Sequence, residues 1–146
     1  MNFLLDTCVI SELIAKQPNP RVVQWIDSID EDKLLLSVIT IGEIKKGIEK
    51  LADSRRKDVL AEWLDDALLV RFRDKILPVD IPVVLTWGQL AADLEKQGRR
   101  MPAIDSLIAA TCLHGELCLV TRNENDFVHS GITMINPWEI EAPTLR

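Results

Sequence analysis

The sequence has no tyrosine, only two histidines (His114 and His129), and three cysteines (Cys8, Cys112 and Cys118) without a Cys-x-x-Cys pair. A tetrahedral Cys/His zinc site needs a ligand set that this chain hardly has. The odd, widely spaced cysteines read as free thiols of a reducing cytosol, not as a disulfide framework. Cys112 and His114 stand two apart, a spacing that points them to different helix faces and argues against a Cys–His nucleophile. No apolar run approaches the ~18 residues that cross a bilayer, so no membrane span is expected. Met1 to Asp6 has no basic stretch and meets a carboxylate at once, so no signal peptide is expected. Excess basic charge is missing too: 17 Lys and Arg stand against 23 Asp and Glu, a net charge of −6. That balance disfavours a protein that grips nucleic acid through bulk positive charge. It leaves a small-molecule protein, a protein-binding module, or an acidic-site metalloenzyme whose cation supplies the positive charge.

What is present is ordinary for one soluble domain spanning residues 1–146, with 47% apolar and 27% charged residues. Phe3-Leu4-Leu5, Leu34 to Val38, Leu117 to Thr121 and Ile132 to Ile135 are short apolar runs that read as strands. Between them, helical spacing follows Asp6. A helix opens at Asn19-Pro20 with an N-cap and a proline at its first position. Another opens at Thr40, a long one is expected from about Arg56 to Val70, and one runs from Ile81 to Gln97 between Asp80 and Gly98. A last one starts at Pro102. Strands that are apolar throughout, rather than alternating, predict an α/β fold: a central, mainly parallel sheet of four to five strands flanked by helices. In such sheets ligands bind at the carboxyl ends of the strands.

Four carboxylates fall where that edge should be. Asp6 follows the first strand, Glu43 lies just after the second, Asp105 sits in the first turn of the helix after Pro102, and Asp126 lies just past the third strand. Each has a structural explanation. Asp6 suits an N-cap, and Thr40-x-x-Glu43 reads as a capping box with Ile39 and Ile44 as its hydrophobic staple. Asp105 suits a helix dipole, and Asp126, among asparagines, suits a turn. Together they form a cluster whose mutual repulsion calls for a cation. Oxygen donors alone select a hard ion, Mg²⁺ or Mn²⁺, and an open carboxylate site of that kind suits phosphoryl transfer.

At these residues the chain resembles PIN-domain ribonucleases, and among them the VapC/FitB-type toxins of toxin–antitoxin pairs. Phe3 to Glu12, Ser37 to Ile44, Pro102 to Ala109 and Val120 to Phe127 match the family's four acidic motifs in order, over nearly the whole chain. The resemblance implies a metal-dependent endoribonuclease acting on RNA such as tRNA, with Asp6, Glu43, Asp105 and Asp126 as the catalytic acids. Asp6 and Asp105 are then the principal metal ligands, joined by Glu43 and Asp126, and Thr7, Ser11, Thr121 and Asn123 orient the site. It also implies a homodimer in complex with a VapB/FitA-type antitoxin that threads a segment into the acidic groove. Apolar residues of the early helices (Val9, Ile10, Leu13, Val22, Val23 and Trp25) would hold that segment or belong to the core. One departure stands out: many relatives carry Asn where this chain has Cys8, and a thiol is a weaker hydrogen-bonding group than an amide. RNA would need local basic patches, for which Lys45-Lys46 and Arg99-Arg100 are the candidates, although solvated helix ends are the simpler explanation of either pair.

Other readings fit less well. A haloacid-dehalogenase-type phosphatase needs a second Asp at the position of Cys8, and a receiver domain needs an acidic pair that the N-terminus lacks. The rival of a different class is a catalytically silent PIN-like module that only binds RNA or protein.

Overall fold

The computed structural model describes residues 1–140. Five parallel strands form its sheet: β1 (Phe3–Leu5), β2 (Leu34–Ser37), β3 (Ile76–Leu77), β4 (Cys118–Val120) and β5 (Thr133–Ile135), in the spatial order β3-β2-β1-β4-β5. Successive residues point to opposite faces, and both faces are covered, which is why the central strands β1 and β4 are apolar at every position. Leu5, Leu34, Leu36 and Val120 enter one core with residues of α1 (Thr7–Leu13), α2 (Pro20–Ser28), α3 (Val38–Glu49) and α4 (Arg55–Trp63). Leu4 and Leu119 enter a second core with α6 (Ile81–Lys96), α7 (Ala103–Gly115) and Phe127. The pairing Leu4↔Leu119 and Leu5↔Val120 locks the two central strands so that their ends coincide. Thus the residue after β1, Asp6, lies beside the residue after β4, Thr121, and the Asp6 amide donates to the Val120 carbonyl at 3.0 Å.

Local signals set most element boundaries. Asn19 caps α2 by accepting from the Arg21 amide, with Pro20 at the first helical position. Asp80 caps α6, and Gly98 follows that helix with φ of 70°, the left-handed conformation that glycine adopts without strain. One boundary differs from expectation. The cap of α3 is Ser37, the last residue of β2, whose Oγ accepts from the Ile39 amide at 3.1 Å. Thr40 is inside the helix and buried, so Thr40 and Glu43 do not form a capping box.

Two elements depart from the sequence pattern. The edge strand β3 was not expected; its two residues pair with Leu36 and Ser37. The expected helix over 56–70 is broken after α4 by a π-helical turn, Leu64–Leu68, which passes into the short α5 (Leu69–Arg71). Leu64, Leu68 and Phe72 are spaced by four and all are buried. On an ideal α-helix, steps of four drift by about 40° each. The wider π turn absorbs that drift and keeps the three side chains on one face. Helical spacing over 56–70 would place Val59 and Ala67 on the apolar face with Leu60, Trp63, Leu64 and Leu68, yet both are exposed. Of the early-helix residues, Val9, Ile10 and Val22 are core, Leu13 and Trp25 pack against it, and Val23 is half-buried.

The three cysteines are free. Burial pushes the Cys112 thiol up to about 12, which keeps it unreactive. Among the described residues no helix is long and apolar enough to cross a membrane.

Removing the wholly buried Phe72 ring (Phe72→Ala) should cost about 3–5 kcal/mol in denaturant unfolding, the range for a core aromatic. Val59→Ala, on a side chain 53% exposed, should stay within about 0.5 kcal/mol of the parent. Equal effects would contradict the phase that the π turn imposes.

Candidate active site

Asp6 ends the central strand and is only 8% exposed. Water cannot solvate its carboxylate there, so the chain does. The Thr7 amide donates to Oδ1 at 2.9 Å and the Thr121 hydroxyl donates to Oδ2 at 2.8 Å. Thr121 Oγ1 itself accepts from the Asn123 amide at 3.0 Å, which turns its proton toward Asp6. Cys8 occupies the corner between the two strand ends. Its Sγ lies 3.8 Å from Asp6 Oδ2 and 3.7 Å from Thr121 Oγ1, and accepts from the Arg122 amide at 3.5 Å. Burial, with the Asp6 charge beside it, pushes the Cys8 thiol up and keeps it protonated, so it supports Asp6 as a weak donor. Each Asp6 oxygen retains a lone pair beyond these bonds.

The other acids are brought in from three elements. Glu43, in the second turn of α3, accepts from the Thr7 hydroxyl at 2.7 Å. Asp105 stands in the first turn of α7, and Asp126 ends a single 3-10 turn, Glu124–Asp126, after β4. Their charges reach one another. Burial foremost, then the charge of Glu43, holds the Asp6 carboxyl above its ordinary range despite the lowering hydrogen bonds from Thr121 and Thr7. Asp105 is also held high, first by burial and then by Asp126, Asp6 and Glu43.

Among the described residues, no three of these acids stand close enough to hold one ion by themselves. The donor chemistry nevertheless fits a hard divalent cation. The donors are carboxylate and hydroxyl oxygens, and Mg²⁺ keeps several waters and is held by one or two carboxylates. Cys8 beside Asp6 is the one soft group among them, and burial favours its protonated, weakly ligating form.

The remaining expected residues divide. Thr7 and Thr121 bond directly to the acids, whereas Asn123 contributes through its backbone amide. Ser11 is exposed one turn beyond Thr7 and makes none of the bonds described above. Arg99 and Arg100 line one cleft of about 280 Å³ with Asp105 and Asp126, and His129, which sequence reasoning missed, lines it too. Lys45 and Lys46 are exposed on α3, Lys45 paired with Glu49 at 2.9 Å.

Carboxylates gathered at the C-terminal edge of a parallel, helix-covered sheet define an α/β protein with an acidic cleft. The chain belongs to the PIN domain family, whose pattern matches residues 3–130. It is 38% identical to Toxin FitB of Neisseria gonorrhoeae over 135 residues, covering 92% of this chain and 97% of that protein. It is 32% identical to a VapC ribonuclease of Sinorhizobium fredii over 136 residues, or 93% and 97% of the two chains. Its structure is similar to the crystal structure of FitAcB from Neisseria gonorrhoeae (TM-score 0.89, 38% identity, 94% of this chain and 99% of that one) and to FitAB bound to a DNA fragment (TM-score 0.89, 36% identity, 97% and 99%).

The site's electrostatics predict a stability effect with a defined sign. A carboxyl held high in the folded state stabilises the fold fully below its unfolded value, and that contribution is lost as pH rises through the folded value. At neutral pH without metal, ionised Asp105 therefore costs stability. Asp105→Asn should unfold at the same or a higher denaturant midpoint than the parent, and acidification toward the carboxylate range should narrow the gap. Ser37→Ala should cost on the order of 1 kcal/mol through the lost cap, and Glu43→Gln should not. The reverse ranking would restore Glu43 to a capping role.

Proposed function

We propose that this chain, as one domain over residues 1–146, is a metal-dependent endoribonuclease of the cytosol and the toxin of a toxin–antitoxin pair. The observation that carries the reading is the desolvated Asp6 carboxylate, held ionisable by Thr7 and Thr121 with Glu43, Asp105 and Asp126 about it. A fold that only needed an N-cap would not surround it with three further acids. The ribonuclease name of one relative and the toxin name of another support the same reading.

In this reading Asp6 and Asp105 hold Mg²⁺ or Mn²⁺, with Glu43 and Asp126 contributing charge or water-mediated contacts. When bound, the ion supplies the positive charge that a phosphodiester needs in an acidic cleft and assists water attack in line with the leaving oxygen. Thr121 and Thr7 fix the Asp6 oxygens, so that their free lone pairs face a constant direction. Thr7 also holds Glu43 through its hydroxyl, which ties α1 to α3 across the site.

A VapB/FitA-type antitoxin as partner is supported by the solved FitAB complexes. The acidic cleft suits an antitoxin arginine, whose fork matches a carboxylate and would take the place of the ion. A homodimer, assembled with the antitoxin into a heterotetramer or larger, completes the proposal.

That no three of these acids by themselves could hold one ion favours one second reading, a silent module that binds RNA without cutting it. Cleavage separates the two. Purified chain given Mg²⁺ or Mn²⁺ should cut RNA at internal positions. Asp6→Asn and Asp105→Asn should each reduce the rate by at least about a hundredfold with the circular dichroism spectrum unchanged, since losing even an outer-shell partner of a metal ligand costs up to about that much. Full activity in Asp105→Asn would sink the assignment, and RNA binding with no cleavage in the parent would favour the silent module.

A further inference from the structure

The cleft that exposes Asp105 and Asp126 is also walled by Arg99, Arg100 and His129, of which the two arginines carry the charge opposite to the acids. Both halves of that wall are rooted in the core. After α6, the Gly98 amide donates to the Glu95 carbonyl at 3.0 Å and the Arg99 amide to the Leu94 carbonyl at 2.8 Å. These are the paired bonds of a Schellman turn, and Leu94 is buried, so the backbone of Arg99 is fixed. His129 lies in the 3-10 turn Val128–Ser130, between the buried Phe127 and Gly131, whose φ is 79°. The Ser130 hydroxyl donates to the Phe127 carbonyl at 2.6 Å and closes that turn. Across 30 residues of sequence, Arg99 Nη1 meets His129 Nδ1 at 2.6 Å. A guanidinium only donates, so Nδ1 is the acceptor in this contact.

The arginines and acids of this cleft do not cancel one another. Among the described residues, no ion pair within 4.0 Å joins Arg99 or Arg100 to Asp105 or Asp126. Arg100 has Glu95 at 3.6 Å, an exposed pair worth little. Arg99 spends one N–H on the His129 ring nitrogen and keeps four donors for another ligand. A cleft with carboxylates on one wall and uncommitted guanidinium forks on the other is complementary to a phosphate chain that enters beside a cation. It also gives a −6 protein a local pair of arginines with which to meet a phosphate beside the acids.

We propose that Arg99 and Arg100 bind an RNA backbone phosphate next to the one that is cut, and that His129 is a positioning residue that aims Arg99. The proposal rests on the nuclease reading above. It is tested by fluorescence anisotropy with fluorescein-labelled bulk tRNA, across a salt series, in the Asp105→Asn background so that binding is read without cleavage. Arg99→Ala and Arg100→Ala should each weaken binding about fivefold and flatten the log–log salt dependence by about 0.7, the value for one lost phosphate contact. Arg55→Ala, an exposed arginine in the groove beside Trp63, should change neither. His129→Ala should weaken binding, and His129→Asn should restore it, because the Asn carboxamide oxygen can accept where Nδ1 does. If the Arg99 and Arg100 variants bind no more weakly than Arg55→Ala while the unsubstituted chain cuts tRNA with Mg²⁺, the subsite is wrong and the nuclease reading stands. If the unsubstituted chain neither binds nor cuts tRNA, both are wrong.

Discussion

Asp6 ends the central strand with its carboxylate almost out of water, and the fold must supply there what water would have supplied. A buried charge without donors costs several kcal/mol or is simply neutralised. Here one donor comes from the first residue of α1 and the other from the residue after β4. That second donor is in place only because β1 and β4 are paired in a register that makes their ends coincide. The Thr7 hydroxyl then draws in Glu43 from α3. Solvating one carboxylate thus ties together two strands and two helices, and the apolar strand interiors fix that geometry from below.

The same arrangement explains why the site is electrostatically expensive. Asp6 and Asp105 are both held above their ordinary range, burial first and neighbouring acids next. A fold selected for stability alone would relieve this with an amide at one position, and under the proposed nuclease reading the persistent repulsion is the cost of keeping a cleft for a cation. The cost is contained because the acids are spread over four chain segments. Only Asp6 is buried, and it alone carries a dedicated set of donors. Arg99 and Arg100 line the same cleft from exposed positions and form no ion pair with Asp105 or Asp126 among the described residues.

Much of this was legible in the sequence because the signals are local. Asn19-Pro20, Asp80 and Gly98 announce helix ends through their own side chains or conformational freedom. Apolar runs that end in an acid announce buried strands that end at a site. What was misread depended on tertiary context. Thr40-x-x-Glu43 has the letters of a capping box, but β2 delivers Ser37 to the cap position first, and Glu43 turns to Thr7 instead. Strand β3 has two residues, too few for any periodicity, and exists only because Leu36 and Ser37 offer an open edge. The π turn follows from spacing by four through Leu64, Leu68 and Phe72, which helical periodicity alone blurs into a longer helix. His129 carries no motif at all; its role depends on a contact with Arg99 that only folding creates.

The central claim is that the Asp6 carboxylate and its neighbouring acids form a cation site rather than a set of helix caps. The most direct measurement is the melting temperature of the purified chain at neutral pH as Mn²⁺ is added to metal-free protein. A ligand that binds only the folded state raises stability by an amount that grows with its concentration relative to Kd. A rise that follows this dependence, and that is abolished in Asp6→Asn, is expected. A melting temperature that stays flat through millimolar Mn²⁺ would contradict the claim and leave the four acids as structural.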